Sequence, residues 1–238
     1  EYKDFDFGTQ EEQLQFTAKV RSKAGGSIDL ILDDPDAAPV GTLVIPAGGH
    51  GAWEELSGVV QPVSGVHTLY LRFHSESGDR IGDVASFQFE PLVPLFEDDF
   101  ASGLDAWEHT EQAEIVDGKL FLSGNESMAA RSESGWKNYV LQAEVTRDEG
   151  PAGIAFRRVG AGYEYLFTLS EDKAAFGVQL DGEYRELASV QAQFPSGEPY
   201  QVQIECAGSE LRAYVGGELI LKAEDDTLTA GGIGFVQP

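Results

Sequence analysis

The feature that most constrains this chain is the period of its hydrophobic pattern, which is two nearly throughout and supports no long helix. Leu14, Phe16, Ala18 and Val20 alternate with polar residues, as do Ile28, Leu30 and Leu32, and then Leu69, Leu71 and Phe73. Successive side chains of a strand point to opposite faces, so this alternation predicts half-buried strands. Ala24-Gly25-Gly26, Pro46-Ala47-Gly48-Gly49 and Ser64-Gly65 supply turns at the spacing of an all-β sandwich. The pattern breaks at Glu90-Pro91-Leu92-Val93-Pro94, where two prolines lack the N–H that a sheet ladder needs. It resumes with Tyr139, Leu141, Ala143 and Val145, while Asp117-Gly118, Asp181-Gly182 and Gly216-Gly217 read as tight hairpin turns. The expectation is an all-β protein: two tandem antiparallel β-sandwiches of jelly-roll type, over residues 1–92 and 95–238, with no helix longer than two turns. A chain of 238 residues is long enough to bury two cores.

Charge narrows the partners. Sixteen Lys and Arg against 41 Asp and Glu give a formal charge of −25, and both halves are acidic. No basic stripe exists to track a phosphate backbone, so nucleic acid and anionic membrane are excluded as partners. A neutral glycan is indifferent to this charge. Cys206, the only cysteine, alternates with apolar neighbours in Gln201–Cys206 and reads as a buried structural thiol. No run approaches the ~20 apolar residues of a membrane-spanning helix. The chain opens on Glu1 without a signal peptide and reads as an internal piece of a longer polypeptide.

Three stretches, Phe16–Leu32 (FTAKVRSKAGGSIDLIL), Val40–Trp53 (VGTLVIPAGGHGAW) and Val63–Phe73 (VSGVHTLYLRF), together resemble a family 6 carbohydrate-binding module. The resemblance covers nearly all of residues 1–90, with the family's closing strand at Ala85–Phe89. It implies a cleft where aromatic rings pack on the flat face of a sugar while polar side chains take its hydroxyls. On this chain it points to Trp53, His50 and Asp83. The family's N-terminal clamp tyrosine has no counterpart, one loop aromatic has become His50, and the family's sugar-binding asparagine has become Asp83. Ala85 stands where an aspartate usually helps to hold structural calcium. Trp53 is open to two readings, sugar platform or core residue.

The second half, with Phe96–Trp107 (FEDDFASGLDAW), Val116–Leu122 (VDGKLFL), Tyr139–Thr146 (YVLQAEVT) and Ala152–Leu169 (AGIAFRRVGAGYEYLFTL), resembles the concanavalin-like sandwiches grouped around the family 66 carbohydrate-binding modules. Members usually finish with one further strand than this chain shows after Gln237-Pro238. If Ile154 and Phe156 point into the core, strict alternation sends Gly153, Ala155 and Arg157 to the outer face. Arg157 would then be a forked donor to sugar hydroxyls or a uronate, with Tyr163 and Tyr165 as an apolar wall. The alternative is that both tyrosines belong to the core edge and that Arg157 and Arg158 pair with surplus carboxylates.

Catalytic signatures are sparse. There is no E-x-D-x-x-E strand of the kind that sandwich glucanases use to place two carboxylates about a glycosidic bond. HExxH, GxSxG and phosphate-loop motifs are absent, and His50, His67, His74 and His109 lack metal-ligand spacing. The expectation is therefore of a non-enzyme: accessory modules of a secreted, extracellular glycoside hydrolase, resembling the C-terminal part of a family 43 enzyme. They would bind a plant polysaccharide such as xylan, arabinan or fructan, with the catalytic domain elsewhere in the same polypeptide. No catalytic cofactor is expected, and any metal would be structural calcium, since oxygen ligands abound and soft ligands do not. Two alternatives stay open: spacer modules packed on a family 43 domain, or a keto-sugar hydrolase activity in the second half, since domains that it resembles include proposed keto-sugar hydrolases.

Overall fold

The computed structural model describes every residue except 10, 11, 48–50, 76–79, 125, 132–134 and 149. Among the described residues there is no helix, and the chain divides into two compact units, Glu1–Phe96 and Glu97–Pro238. The protein is all-β, two antiparallel β-sandwiches in tandem.

Among the described residues the first unit has seven strands: β1 (Tyr2–Asp6), β2 (Glu12–Arg21), β3 (Gly26–Leu32), β4 (Gly41–Ile45), β5 (Glu54–Val63), β6 (Val66–His74) and β7 (Asp83–Pro91). They form one sheet in the order β1-β6-β3-β4-β5-β2-β7. The alternating residues of the sequence are its core: Phe16, Ala18 and Val20 of β2 meet Ile28, Leu30, Leu43, Val60 and Leu69. The sheet curls until its two edge strands face one another through rings instead of hydrogen bonds. Tyr2 packs on Phe87 at 5.0 Å between centroids, and Phe5 and Phe7 pack on Phe89 at 5.3 and 5.1 Å. Such edge-to-face contacts bury large apolar rings where a ladder would otherwise continue.

Among the described residues the second unit holds thirteen strands. The first six are β8 (Glu108–His109), β9 (Ala113–Val116), β10 (Lys119–Leu122), β11 (Ser127–Arg131), β12 (Tyr139–Thr146) and β13 (Ala152–Gly160). Then come β14 (Tyr163–Leu169), β15 (Lys173–Leu180), β16 (Glu183–Gln191), β17 (Pro199–Ala207), β18 (Glu210–Val215), β19 (Glu218–Glu224) and β20 (Gly232–Gln237). A seven-stranded sheet, β16-β15-β14-β13-β20-β11-β8, stacks on a four-stranded one, β12-β17-β18-β19, with β9 and β10 as a separate hairpin. Ile154, Phe156, Tyr165, Phe167, Phe176 and Val178 of the large sheet meet Leu141, Ile204, Cys206, Leu211, Ala213 and Leu221 of the small one. Asp117 and Asp181 take φ of 53° or close to it and are followed by Gly118 and Gly182 at 74° and 80°, the left-handed pair that a tight hairpin turn requires.

Candidate active site

Strand β13 departs from strict alternation, and the departure creates the site. Its register with both β14 and β20 slips after Phe156, and Arg157 adopts φ of +46°. This is a β-bulge, one extra residue that shifts the parity of everything after it. Arg157 therefore does not lie on the outer face as alternation predicts. It is 0% exposed, and its guanidinium donates to the backbone carbonyls of Lys137 (2.9 and 3.2 Å) and Leu228 (3.1 Å). Its N–H donates to the Tyr139 hydroxyl at 2.8 Å. Arg157 is a structural tie and offers no donor to a sugar.

Arg158 takes the outer-face place instead. On that face one row of paired residues runs across the large sheet: Glu108, Ala130, Gly234, Ala155, Leu166 and Gly177. Small residues keep the middle of this row low. A Cβ on Gly234 would come within 2.8 Å of the Ala130 methyl, and the Tyr184 ring occupies the space a Cβ on Gly177 would need. Across this low floor the Arg158 side chain reaches from β13 to β8 and β11. Its Nη1 donates to Glu108 Oε2 at 3.1 Å, its Nη2 lies 3.5 Å from Met128 Sδ, and its Nε is 3.0 Å from Glu164 Oε2. The last contact is an ion pair without hydrogen-bond alignment.

The result is two carboxylates joined by one buried guanidinium. Their environments differ. The Glu108 side chain is 61% exposed and the Glu164 side chain 8%. Burial pushes the Glu164 carboxyl above the usual range; Arg158 and the Gly162 N–H pull the other way and do not cancel it. A pair of carboxyls with unlike environments is the arrangement from which an acid and a base are made. Sequence reasoning missed Glu108 and Glu164, while Arg158 pairs with carboxylates as the alternative reading of the sequence had it. The available signal was Glu164, a charged residue set between the core residues Tyr165 and Phe167 and the turn at Gly162.

The remaining expected residues fall elsewhere. Tyr165 lies in the core at 0% exposure, its hydroxyl donating to Asp225 Oδ1 at 2.6 Å and accepting from Leu228 N at 3.1 Å. Burial raises this hydroxyl to about 12, and it is no sugar wall. Tyr163 is exposed at the end of β14, where the charge of Asp181 raises its hydroxyl. Arg157, Tyr163 and Tyr165 thus make no common groove. Cys206 is buried, and burial pushes its thiol up to about 12.

In the first unit Trp53 is 42% exposed, with the Arg21 guanidinium 4.9 Å from its ring centroid. Arg21 also binds Asp83 Oδ2 through Nε at 3.2 Å and Nη2 at 2.5 Å, and Arg80 pairs with the same carboxylate. Arg21 and Arg80 hold the Asp83 carboxyl below its ordinary range. Trp53 and Asp83 are therefore brought together by Arg21, while His50 lies outside the described residues. Asp83 and Arg80 border an open groove of about 1130 Å³ that Tyr2, Phe73, His74 and Phe87 also line. Ala85 offers no side-chain oxygen, and among the described residues no three His, Cys, Asp or Glu side chains converge.

Comparison with known proteins agrees with the two-part reading. Residues 1–91 match the carbohydrate-binding module family 6, and residues 91–236 match the 3-keto-alpha-glucoside-1,2-lyase-like domain. An arabinoxylan arabinofuranohydrolase of Paenibacillus polymyxa is 32% identical over 87 residues, 36% of this chain and 14% of that protein. One from Bacillus subtilis is 35% identical over 85 residues, 35% of this chain and 16% of that protein. The chain thus spans a small fraction of these relatives' length. The solved carbohydrate-binding module CBM66 from Bacillus subtilis superposes with a TM-score of 0.51 at 17% identity, covering 57% of this chain and 90% of that one, a likeness of fold alone. The match over residues 91–236 overturns the expectation of a non-enzyme, because the family it names is defined by a bond-breaking reaction. The chain is carbohydrate-related and, by the larger of its two parts, belongs to the 3-keto-alpha-glucoside-1,2-lyase-like domain family.

Proposed function

We propose that the second unit cleaves 3-keto-glycosides on the outer face of its large sheet, while the first unit holds the polysaccharide from which they derive. The observation that carries this reading is the pair Glu108 and Glu164 joined by Arg158. A carbonyl at C3 acidifies the C2–H of a sugar and places the C1 glycosidic oxygen where it can depart. A base removes the C2 proton, a C1=C2 double bond forms as the C1–O bond breaks, and an acid delivers a proton to the departing oxygen. Glu108, open to solvent beside the guanidinium, serves as the base. Glu164, which burial keeps protonated to higher pH, serves as the acid. Arg158, fully buried beneath them, positions both. Water adding to the new double bond turns the same site into a hydrolase.

The relatives named as arabinoxylan arabinofuranohydrolases support xylan or arabinan as the polymer held by Trp53 and Asp83. They also support an extracellular, multidomain parent with a glycoside hydrolase domain in the same polypeptide. Incubation of the chain with methyl 3-keto-α-glucopyranoside tests the activity: methanol release with a conjugated enone in the ultraviolet is expected. An unchanged substrate at micromolar protein over a day removes the reading.

A further inference from the structure

The two arginines of β13 differ by one position, yet one is a structural tie and the other sits between the proposed acid and base. Strict alternation would exchange them, burying Arg158 between the sheets and sending Arg157 outward. What prevents this is the single left-handed residue at Arg157, a conformation that costs a non-glycine residue energy unless its surroundings enforce it. Three contacts do so. The Tyr139 hydroxyl of β12 accepts the Arg157 N–H at 2.8 Å, satisfying the donor that the bulge takes out of the ladder. The carbonyls of Lys137 and Leu228 hold the guanidinium. Gly231, at φ +155°, lets the chain pass beneath: a Cβ there would lie 2.5 Å from the Arg157 carbonyl carbon and 2.5 Å from the Arg158 oxygen.

We infer that this bulge, held by Tyr139 and seated on Gly231, is the positioning device of the proposed site: it turns Arg158 onto the outer face between Glu108 and Glu164. Tyr139, Arg157 and Gly231 then act on the chemistry through Arg158, without touching substrate. The inference rests on the reading of Glu164 as a working acid, and it carries its own readout. The groups facing Glu164 are Arg158 from β13, Glu108 from β8, the Gly162 N–H of its own hairpin, and the uncharged Gln179 opposite it on β15. Among the described residues Arg158 is the cation acting on Glu164, so any slip of the bulge removes positive charge from it.

The test is a carbon-13 titration of the Glu164 carboxyl in the parent, Tyr139→Phe, Gly231→Ala and Arg158→Gln proteins, with amide spectra to verify the fold. Arg158→Gln marks complete loss of the counter-charge and should raise the midpoint. Tyr139→Phe should move it in the same direction, with kcat falling ~10-fold or more and KM within about twofold, as expected of a weakened acid. Gly231→Ala should follow Tyr139→Phe, which removes a single hydroxyl and supplies the answer should Gly231→Ala not fold. A Glu164 midpoint that stays at the parental value in the bulge variants while Arg158→Gln raises it overturns the inference, as does a midpoint indifferent to Arg158→Gln. Midpoints that move as expected in a protein that cleaves no keto-glycoside leave the inference standing and remove the functional reading instead.

Discussion

Tyr165→Phe separates a structural tyrosine from a sugar contact. The hydroxyl donates to Asp225 at 2.6 Å and accepts the Leu228 N–H at 3.1 Å, pinning the segment after β19 to the middle of the large sheet. Removing it deletes a hydrogen bond to a charged partner and leaves a partly buried N–H unsatisfied. Together these cost about 2–3 kcal/mol. For a unit of this size that lowers the melting temperature by roughly 5–10 °C. Trp107 and Trp136 lie in this unit, so their fluorescence reports its unfolding. The effect has a pH signature. Desolvation raises the Asp225 carboxyl, but Thr227, Tyr165 and Arg185 outweigh it and hold it at about 2. A depressed carboxyl contributes stability that is fully present above its unfolded value of 3.8 and lost as pH falls through about 2. Tyr165→Phe lets the carboxyl rise, so the gap between parent and variant should be constant above pH ~4 and narrow below it. An unchanged melting temperature accompanied by weaker glycan binding would refute the core assignment.

Trp53→Ala should weaken xylo-oligosaccharide binding about tenfold, ~1.4 kcal/mol, in isothermal titration. Because its ring is exposed, stability should move by less than ~0.5 kcal/mol; the reverse pattern would make Trp53 a packing residue. In the first unit His67 Nδ1 lies 2.7 Å from Asp33, which raises the imidazole above 6.5. A raised histidine contributes stability fully below its unfolded value and loses it as pH rises through the folded one. Asp33→Asn should therefore flatten the pH dependence of the first unit's melting above pH ~6.5, and a slope equal to the parent's would show that the pair carries none of it.

Much of the fold was legible in local pattern. Phe16, Ala18 and Val20 alternate in the sequence and are buried in the structure, because a strand with one wet face admits only that register. Asp117-Gly118 and Asp181-Gly182 marked their hairpins because few residue pairs accept two left-handed conformations in succession. The site was less legible. Adjacent arginines followed by an apolar residue and a glycine turn do not reveal which one faces out, since a bulge leaves no periodic trace. Its determinants, Tyr139 and Gly231, stand 18 and 74 positions away in the chain. Glu108 is likewise remote, and only the order β13-β20-β11-β8 brings it within reach of Arg158. The closing of β1 on β7 through Phe5, Phe7 and Phe89 is long-range in the same sense.

The most direct measurement is the pH dependence of kcat/KM for a 3-keto-α-glucoside in the parent, Glu164→Gln and Glu108→Gln proteins. A site that works through this pair gives a bell-shaped profile in the parent. Glu164→Gln should remove the alkaline limb and Glu108→Gln the acidic one, each with a rate loss on the order of 10²- to 10⁴-fold. Xylan binding by the first unit should be untouched in both. Parental rates in either variant would contradict the assignment of acid and base to the two carboxylates that Arg158 joins.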